Sequence, residues 1–180
     1  MIDAGPDDEE KPAVKPQPKV EPQKAPQGTK LGGDDYKLDI EKEKDILSSS
    51  QRLGSLLKDR GLVVGTAESC TGGWLGQAIT MVPGSSAWYH SGIITYSNLS
   101  KTKQLGVDPD LIDQYGAVSE MVVKSMATGV MANVRSDCAI ATTGIAGPGG
   151  GTNNKPVGTV WIGACDKTYG IKTFGKKWLI

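Results

Sequence analysis

The chain is poor in the group that enzymes most often use for proton transfer at neutral pH: it holds one histidine, His90, in 180 residues. A single histidine excludes an HExxH zinc site, and a Ser-His-Asp triad would have to be built on that residue. His90 follows Trp88 and Tyr89 in an aromatic patch that reads as the closing of a loop rather than as a catalyst. Any base is therefore expected to be another residue, and no metal site is expected. Cysteine is scarce too. Cys70, Cys138 and Cys165 are widely spaced, odd in number and form no CxxC pair, which fits reduced thiols better than a disulfide framework. Charge of one sign is also missing: 20 basic and 20 acidic residues cancel, leaving no case for a nucleic-acid surface. No apolar run is long enough to cross a bilayer, and Met1 to Glu10 is acidic without an apolar centre, unlike a signal peptide. A cytoplasmic protein without cofactor or membrane partner is the expectation.

What is present divides into a leader and a domain. Residues 1–36 are rich in Pro, Lys, Glu and Gln, as in KPAVKPQPKVEPQKAPQ, and carry too little apolar surface to offset the entropy of ordering. They are expected to be a disordered tail, a solvated leader or a docking arm for a proline-reading partner. Residues 37–180 carry the folded domain. Ile46, Leu47, Leu53, Leu56 and Leu57 share one helical face, and Gly61 ends that helix. Leu62 to Val64 read as a strand, Gly92 to Ser97 as a second, Asp137 to Thr143 as a third, Val157 to Cys165 as a fourth and Tyr169 to Phe174 as a fifth. Asp108 with Pro109 opens a helix that Gly116 stops, and Ser119 caps a longer one with Val122, Val123, Met126, Val130 and Met131 as its buried stripe. Strands alternating with helices imply a layered α/β domain with site residues at strand ends.

The stretch TAESCTGGW, Thr66 to Trp74, lies where the first strand feeds a helix. Unpartnered amides and the helix dipole can stabilise an anion there, and Gly72 and Gly73 allow close approach. Ser69 or Thr71 also suits a plain N-cap. A second concentration of glycine, GIAGPGGGTNNKP from Gly144 to Pro156, follows the third strand; it matches neither a dinucleotide nor a P-loop fingerprint, and reads as a ligand-approaching loop or a simple hairpin loop.

Four stretches taken together, TAESCTGG at 66–73, TYSN followed by Lys101, GAVSE at 116–120, and GIAGPGGGT with KPVGTVW to 161, resemble the C-terminal domain of the CinA family, the nicotinamide-nucleotide amidase domain. The likeness runs from about residue 46 to 175. It implies a three-layer α/β/α fold with a mixed sheet of about five strands, and metal-independent hydrolysis of the carboxamide of nicotinamide mononucleotide to nicotinate mononucleotide and ammonia. Carried over by position, the nucleophile falls on Ser69, a supporting tyrosine on Tyr96, the lysine on Lys101 and a hydroxyl residue on Thr143. Thr71, Gly72, Gly73, Thr143, Gly144 and Gly147 are the implied substrate-binding set. The family pattern continues into a GDR motif and an arginine-bearing terminal helix, whereas this sequence ends in FGKKWLI, so the domain is expected to be truncated at that helix. Lys176 or Lys177 would then replace arginine toward a phosphate.

The chemistry of the residues agrees. A serine hydroxyl needs a base, and a lysine stripped of its proton by burial can replace histidine. Backbone amides from Cys70 to Gly73 would hold the oxyanion. Lys103 is a rival base and Cys70 a rival nucleophile. A nucleotide-binding or regulatory module that keeps the pocket without turnover is the alternative function. Trp178 on an uncovered flank would favour a homo-oligomer.

Overall fold

The computed structural model describes residues 40–168 and 170–177, with backbone alone for 40–43 and 173–177. The leader, Tyr169 and Trp178 lie outside the described residues.

Helix α1, Ile40–Lys58, ends in a turn in which Gly61, at φ +61, donates to the Lys58 carbonyl (3.1 Å) and Leu62 to the Leu57 carbonyl (2.9 Å). That pair of bonds satisfies carbonyls the helix itself cannot, and Leu62 packs back near Leu57 as the chain leaves. The buried stripe of α1 differs from expectation at one place. Leu56 is exposed, and Gly54 takes the contact position because the fully buried Trp88 indole lies against it; a Cβ on Gly54 would come within 2.7 Å of the ring.

Strand β1, Val64–Glu68, starts later than the apolar run suggests, since Leu62 belongs to the α1 turn. It is buried throughout and pairs in parallel with β2, Tyr89–Ile94, on one side and with β3, Cys138–Gly144, on the other. β3 continues antiparallel into β4, Thr159–Asp166, and β4 into β5, Gly170–Lys177. The order is β2-β1-β3-β4-β5, a mixed five-stranded sheet. β2 begins at Tyr89, three residues before the predicted start, because pairing with Val64 draws the aromatic patch into the strand.

The connections cover both faces. Between β1 and β2 runs α2, Trp74–Thr80, and between β2 and β3 run α3, Asn98–Leu105, α4, Pro109–Tyr115, and α5, Glu120–Asn133. Alternation along β3 divides the core: Cys138 and Ile140 pack with Leu57, Ile79 and Trp88 on the α1/α2 side, and Ala139 and Ala141 with Val122, Val123 and Met126 on the α5 side. The result is a three-layer α/β/α arrangement. The predicted caps of the second layer are in place: Asp108 and Ser119 accept from Asp110 and Val122 amides at the starts of α4 and α5, and Gly116 closes α4. Among the described residues no helix is long and apolar enough to cross a membrane.

Candidate active site

Strand order reverses at β1: the chain goes to β2 on one side, then crosses to β3 on the other. In such sheets the carboxyl ends of the diverging strands leave a crevice. Here a cavity of about 210 Å³ opens at those ends, lined by Ser69 and Cys70 after β1, Tyr96, Asn98 and Lys101 after β2, Ala117 and Val118 before α5, and Thr143 and Gly144 at the end of β3 with Ala146 just past it. A larger hollow of about 320 Å³ between α1 and α2, lined mainly by aliphatic groups such as Ile46, Leu53, Leu75 and Ile79, has no lysine or histidine in its wall.

Lys101 dominates the smaller cavity. It lies in the first half of α3, whose N-cap Ser97 accepts from the Ser100 amide, and it is 1 % exposed. Its Nζ donates to the Thr95 carbonyl at 2.8 Å and sits 2.9 Å from Ser69 Oγ. Burial draws its pKa below the ordinary lysine value, partly offset by the neighbouring Cys70 sulfur. The contact has Nζ donating to Ser69 Oγ; once the amine has lost its proton, its lone pair at that distance can take the proton of the hydroxyl. Lys103, the rival base, is exposed on α3 and has no place in the cavity wall. Cys70 does line it, but burial pushes its thiol pKa up; its own amide, the Lys101 charge and the Thr71 amide oppose this. A thiol so shifted stays protonated at neutral pH.

Most amides of the turn after β1 have partners within it, on Glu68 or on β3. Ser69 N donates to the Thr142 carbonyl (3.1 Å), Gly72 N to the Ser69 carbonyl (3.1 Å) and Trp74 N to the Thr71 carbonyl (3.0 Å). The Glu68 carboxylate receives Gly73 N and Leu75 N at 3.0 Å and Gly76 N at 2.8 Å. Neither Ser69 nor Thr71 caps α2; Gly73 is the N-cap residue and the carboxylate of Glu68 does the capping. Sequence reasoning missed this. The available signal was an acidic residue at a strand end, five positions before a glycine that opens a helix. The α2 terminus already holds an anion and so is not free for a developing oxyanion, while the amides of Cys70 and Thr71 approach the Cys70 sulfur in the cavity wall.

Of the remaining sequence-predicted residues, Tyr96, Thr143 and Gly144 line the cavity, and Tyr96 stands at its rim, 73 % exposed. Thr143 Oγ1 donates to the Ala117 carbonyl (2.9 Å), tying β3 to the segment ahead of α5. Thr71, Gly72, Gly73 and Gly147 lie outside the lining: the Thr71 hydroxyl is 2.8 Å from that of Thr142, and the Gly72 and Gly73 amides are spent within the turn. Asn98 lines the cavity and was not foreseen.

Comparison with known proteins follows the same lines. The CinA C-terminal domain family matches residues 47–176. Over 120 residues the chain is 50 % identical to the nicotinamide-nucleotide amidohydrolase PncC of Escherichia coli K12, covering 67 % of this chain and 73 % of that one. It is 55 % identical over 113 residues to a CinA-like protein of Chlorobaculum tepidum, covering 63 % of this chain and 27 % of that protein. Among solved structures, the competence/damage inducible protein CihA of Agrobacterium tumefaciens superposes with a TM-score of 0.74 at 38 % identity, covering 75 % of this chain and 82 % of that one.

Proposed function

The chain belongs to the CinA C-terminal domain family, and from that membership we propose that it is a nicotinamide-nucleotide amidase: it hydrolyses the carboxamide of nicotinamide mononucleotide to the carboxylate and ammonia, through a serine nucleophile and a lysine base, in the cytoplasm and without a metal. The observation that carries this reading is the buried Lys101 amine 2.9 Å from Ser69 Oγ. Its support from outside the chain is the name of the Escherichia coli relative.

The steps balance as follows. Neutral Lys101 takes the proton of Ser69 as Oγ adds to the carboxamide carbon. Main-chain amides of the turn that follows Ser69 hold the resulting oxyanion, each such donor contributing about 3 kcal/mol to the barrier reduction. Collapse expels the amine, which receives the proton back from Lys101 and leaves as ammonia. Water then adds to the acyl-serine with Lys101 again as base, and the carboxylate departs as the serine regains its proton. A cavity of about 210 Å³ suits the aromatic amide, with the ribose and phosphate extending past Tyr96 and Asn98 at the rim.

The test is ammonia release from nicotinamide mononucleotide by the purified chain and by its Ser69→Ala, Lys101→Met, Lys103→Ala and Cys70→Ser variants. Loss in the first two with retention in the last two is expected. Turnover by Ser69→Ala that thiol alkylation abolishes would transfer the nucleophile to Cys70. Nucleotide binding by the unmodified chain without ammonia release would favour the binding-module reading.

A further inference from the structure

The proposed chemistry leaves unused the carboxylate one residue before the nucleophile. Glu68 ends β1 at 2 % exposure. A buried carboxylate is unfavourable unless donors surround it; here the donors are the three amides of Gly73, Leu75 and Gly76 in the first turn of α2. Space for this is made by glycine. Gly73 turns its amide inward at φ +106, and a Cβ on Gly76 would stand 2.8 Å from Tyr89 Oη and 3.4 Å from Glu68 Oε1. Tyr89 Oη in turn lies 2.8 Å from Thr66 Oγ1, so the floor under the turn is a packed polar cluster.

The backbone of Glu68 makes a second link. Its carbonyl accepts from Thr95 N at 2.7 Å, the Thr95 carbonyl accepts from Lys101 Nζ at 2.8 Å, and that Nζ meets Ser69 Oγ at 2.9 Å. With the peptide bond from Glu68 to Ser69 these contacts form a closed circuit. The side chain of Glu68 fixes one part of it to α2, and its carbonyl fixes the other to the end of β2.

We propose that Glu68 is the positioning residue of this site: it pins the Ser69 turn to α2 so that the hydroxyl stays at contact distance from the amine of Lys101. The inference rests on Ser69 being the nucleophile. It assigns Glu68 no contact with substrate. A glutamine in its place has the same shape but must set an NH₂ group against one of the three amide donors, which loosens the turn without leaving a void.

The experiment compares Glu68→Gln and Glu68→Asp with the unmodified chain in three assays, each run well below the melting temperature of every protein: ammonia release, labelling of Ser69 by a fluorophosphonate, and thermal unfolding. For Glu68→Gln we expect kcat and the labelling rate to fall together, on the order of 100-fold for a nucleophile displaced by about 1 Å, with KM changed by less than about threefold. The midpoint of the pH profile should stay in place, because the carboxylate acts through geometry and not on the charge of Lys101. Glu68→Asp, one methylene short of the amides, should not restore the rate. Labelling of Glu68→Gln at the unmodified rate would overturn the inference, and so would a shifted pH midpoint with an undiminished plateau. An unmodified chain that labels but releases no ammonia removes the amidase reading alone, since labelling still decides the role of Glu68. A chain that neither labels nor deamidates removes both.

Discussion

Gly129, in the middle of α5, is no part of the cavity wall yet should control the rate. A Cβ placed there would stand 2.0 Å from the main-chain oxygen of Leu105 and 2.9 Å from its carbonyl carbon. Neither atom can rotate away, so a contact of 2.0 Å has to open to roughly 3.2 Å and α3 must retreat by about 1.2 Å. Overpacking of this kind costs about 1–3 kcal/mol. Alanine returns up to about 1 kcal/mol in helix propensity. A net loss near 1–2 kcal/mol lowers the melting temperature by roughly 3–8 °C for a domain of this size. The effect on turnover should be larger, because Lys101 sits one turn before Leu105 on α3 and moves with it. Displacing the amine by about 1 Å from a hydroxyl now at 2.9 Å should lower kcat about 100-fold. KM should change less than kcat, since Tyr96 and Thr143 lie outside α3 and only Asn98, at its start, moves with the helix. Circular dichroism melting and steady-state ammonia release on Gly129→Ala check both halves. A variant that melts at the unmodified temperature and retains kcat would refute the reasoning that the α3–α5 contact sets the position of the amine.

Three further outcomes are expected. Burial lowers the pKa of Lys101 in the folded chain, so kcat/KM should rise with pH through an ionisation below the ordinary lysine value of about 10.4; across the same window the unfolded chain binds more protons than the folded one, so stability should also rise with pH, and a stability curve falling there would contradict a depressed lysine. Ser136 Oγ is buried without a partner, so Ser136→Ala should raise stability by about 1 kcal/mol, seen as a higher urea midpoint at unchanged slope. Ser119 Oγ accepts from the Val122 amide at the start of α5, so Ser119→Ala should lower stability by about 1 kcal/mol; an unchanged midpoint would remove its capping role.

Much of this architecture was legible because local chemistry and tertiary packing agree. Asp108-Pro109, Gly116, Ser119 and Gly61 punctuate helices through bonds made within a few residues, and the structure uses each as expected. The bounds of β1 and β2 were less legible, because parallel pairing between segments some 25 residues apart decides them: Leu62 is claimed by the α1 turn, and Tyr89 and His90 open the edge strand. The aromatic patch does not act as one group. Trp88 is fully buried against Gly54, Tyr89 reaches Thr66, and His90 is exposed. At the candidate site, the meeting of Ser69 with Lys101 could be anticipated from residue types and family likeness. The role of Glu68 could not, because the amides it binds come from a helix whose start depends on that same carboxylate.

The part of the cavity wall that comes from β3 and the segment before α5 is tied together separately. Thr143, near the end of β3, holds the Ala117 carbonyl, and in the loop that follows the strand Lys155 Nζ donates to the Tyr115 carbonyl at 2.6 Å. These stitches join β3 and its glycine-rich loop to the end of α4 and the short stretch after it, touching neither the serine nor the amine. If Ser69 and Lys101 are the attacking pair proposed above, their contact and the anchoring of residues 144–156 rest on separate bonds, so exchanging that loop should leave the amine beside the hydroxyl.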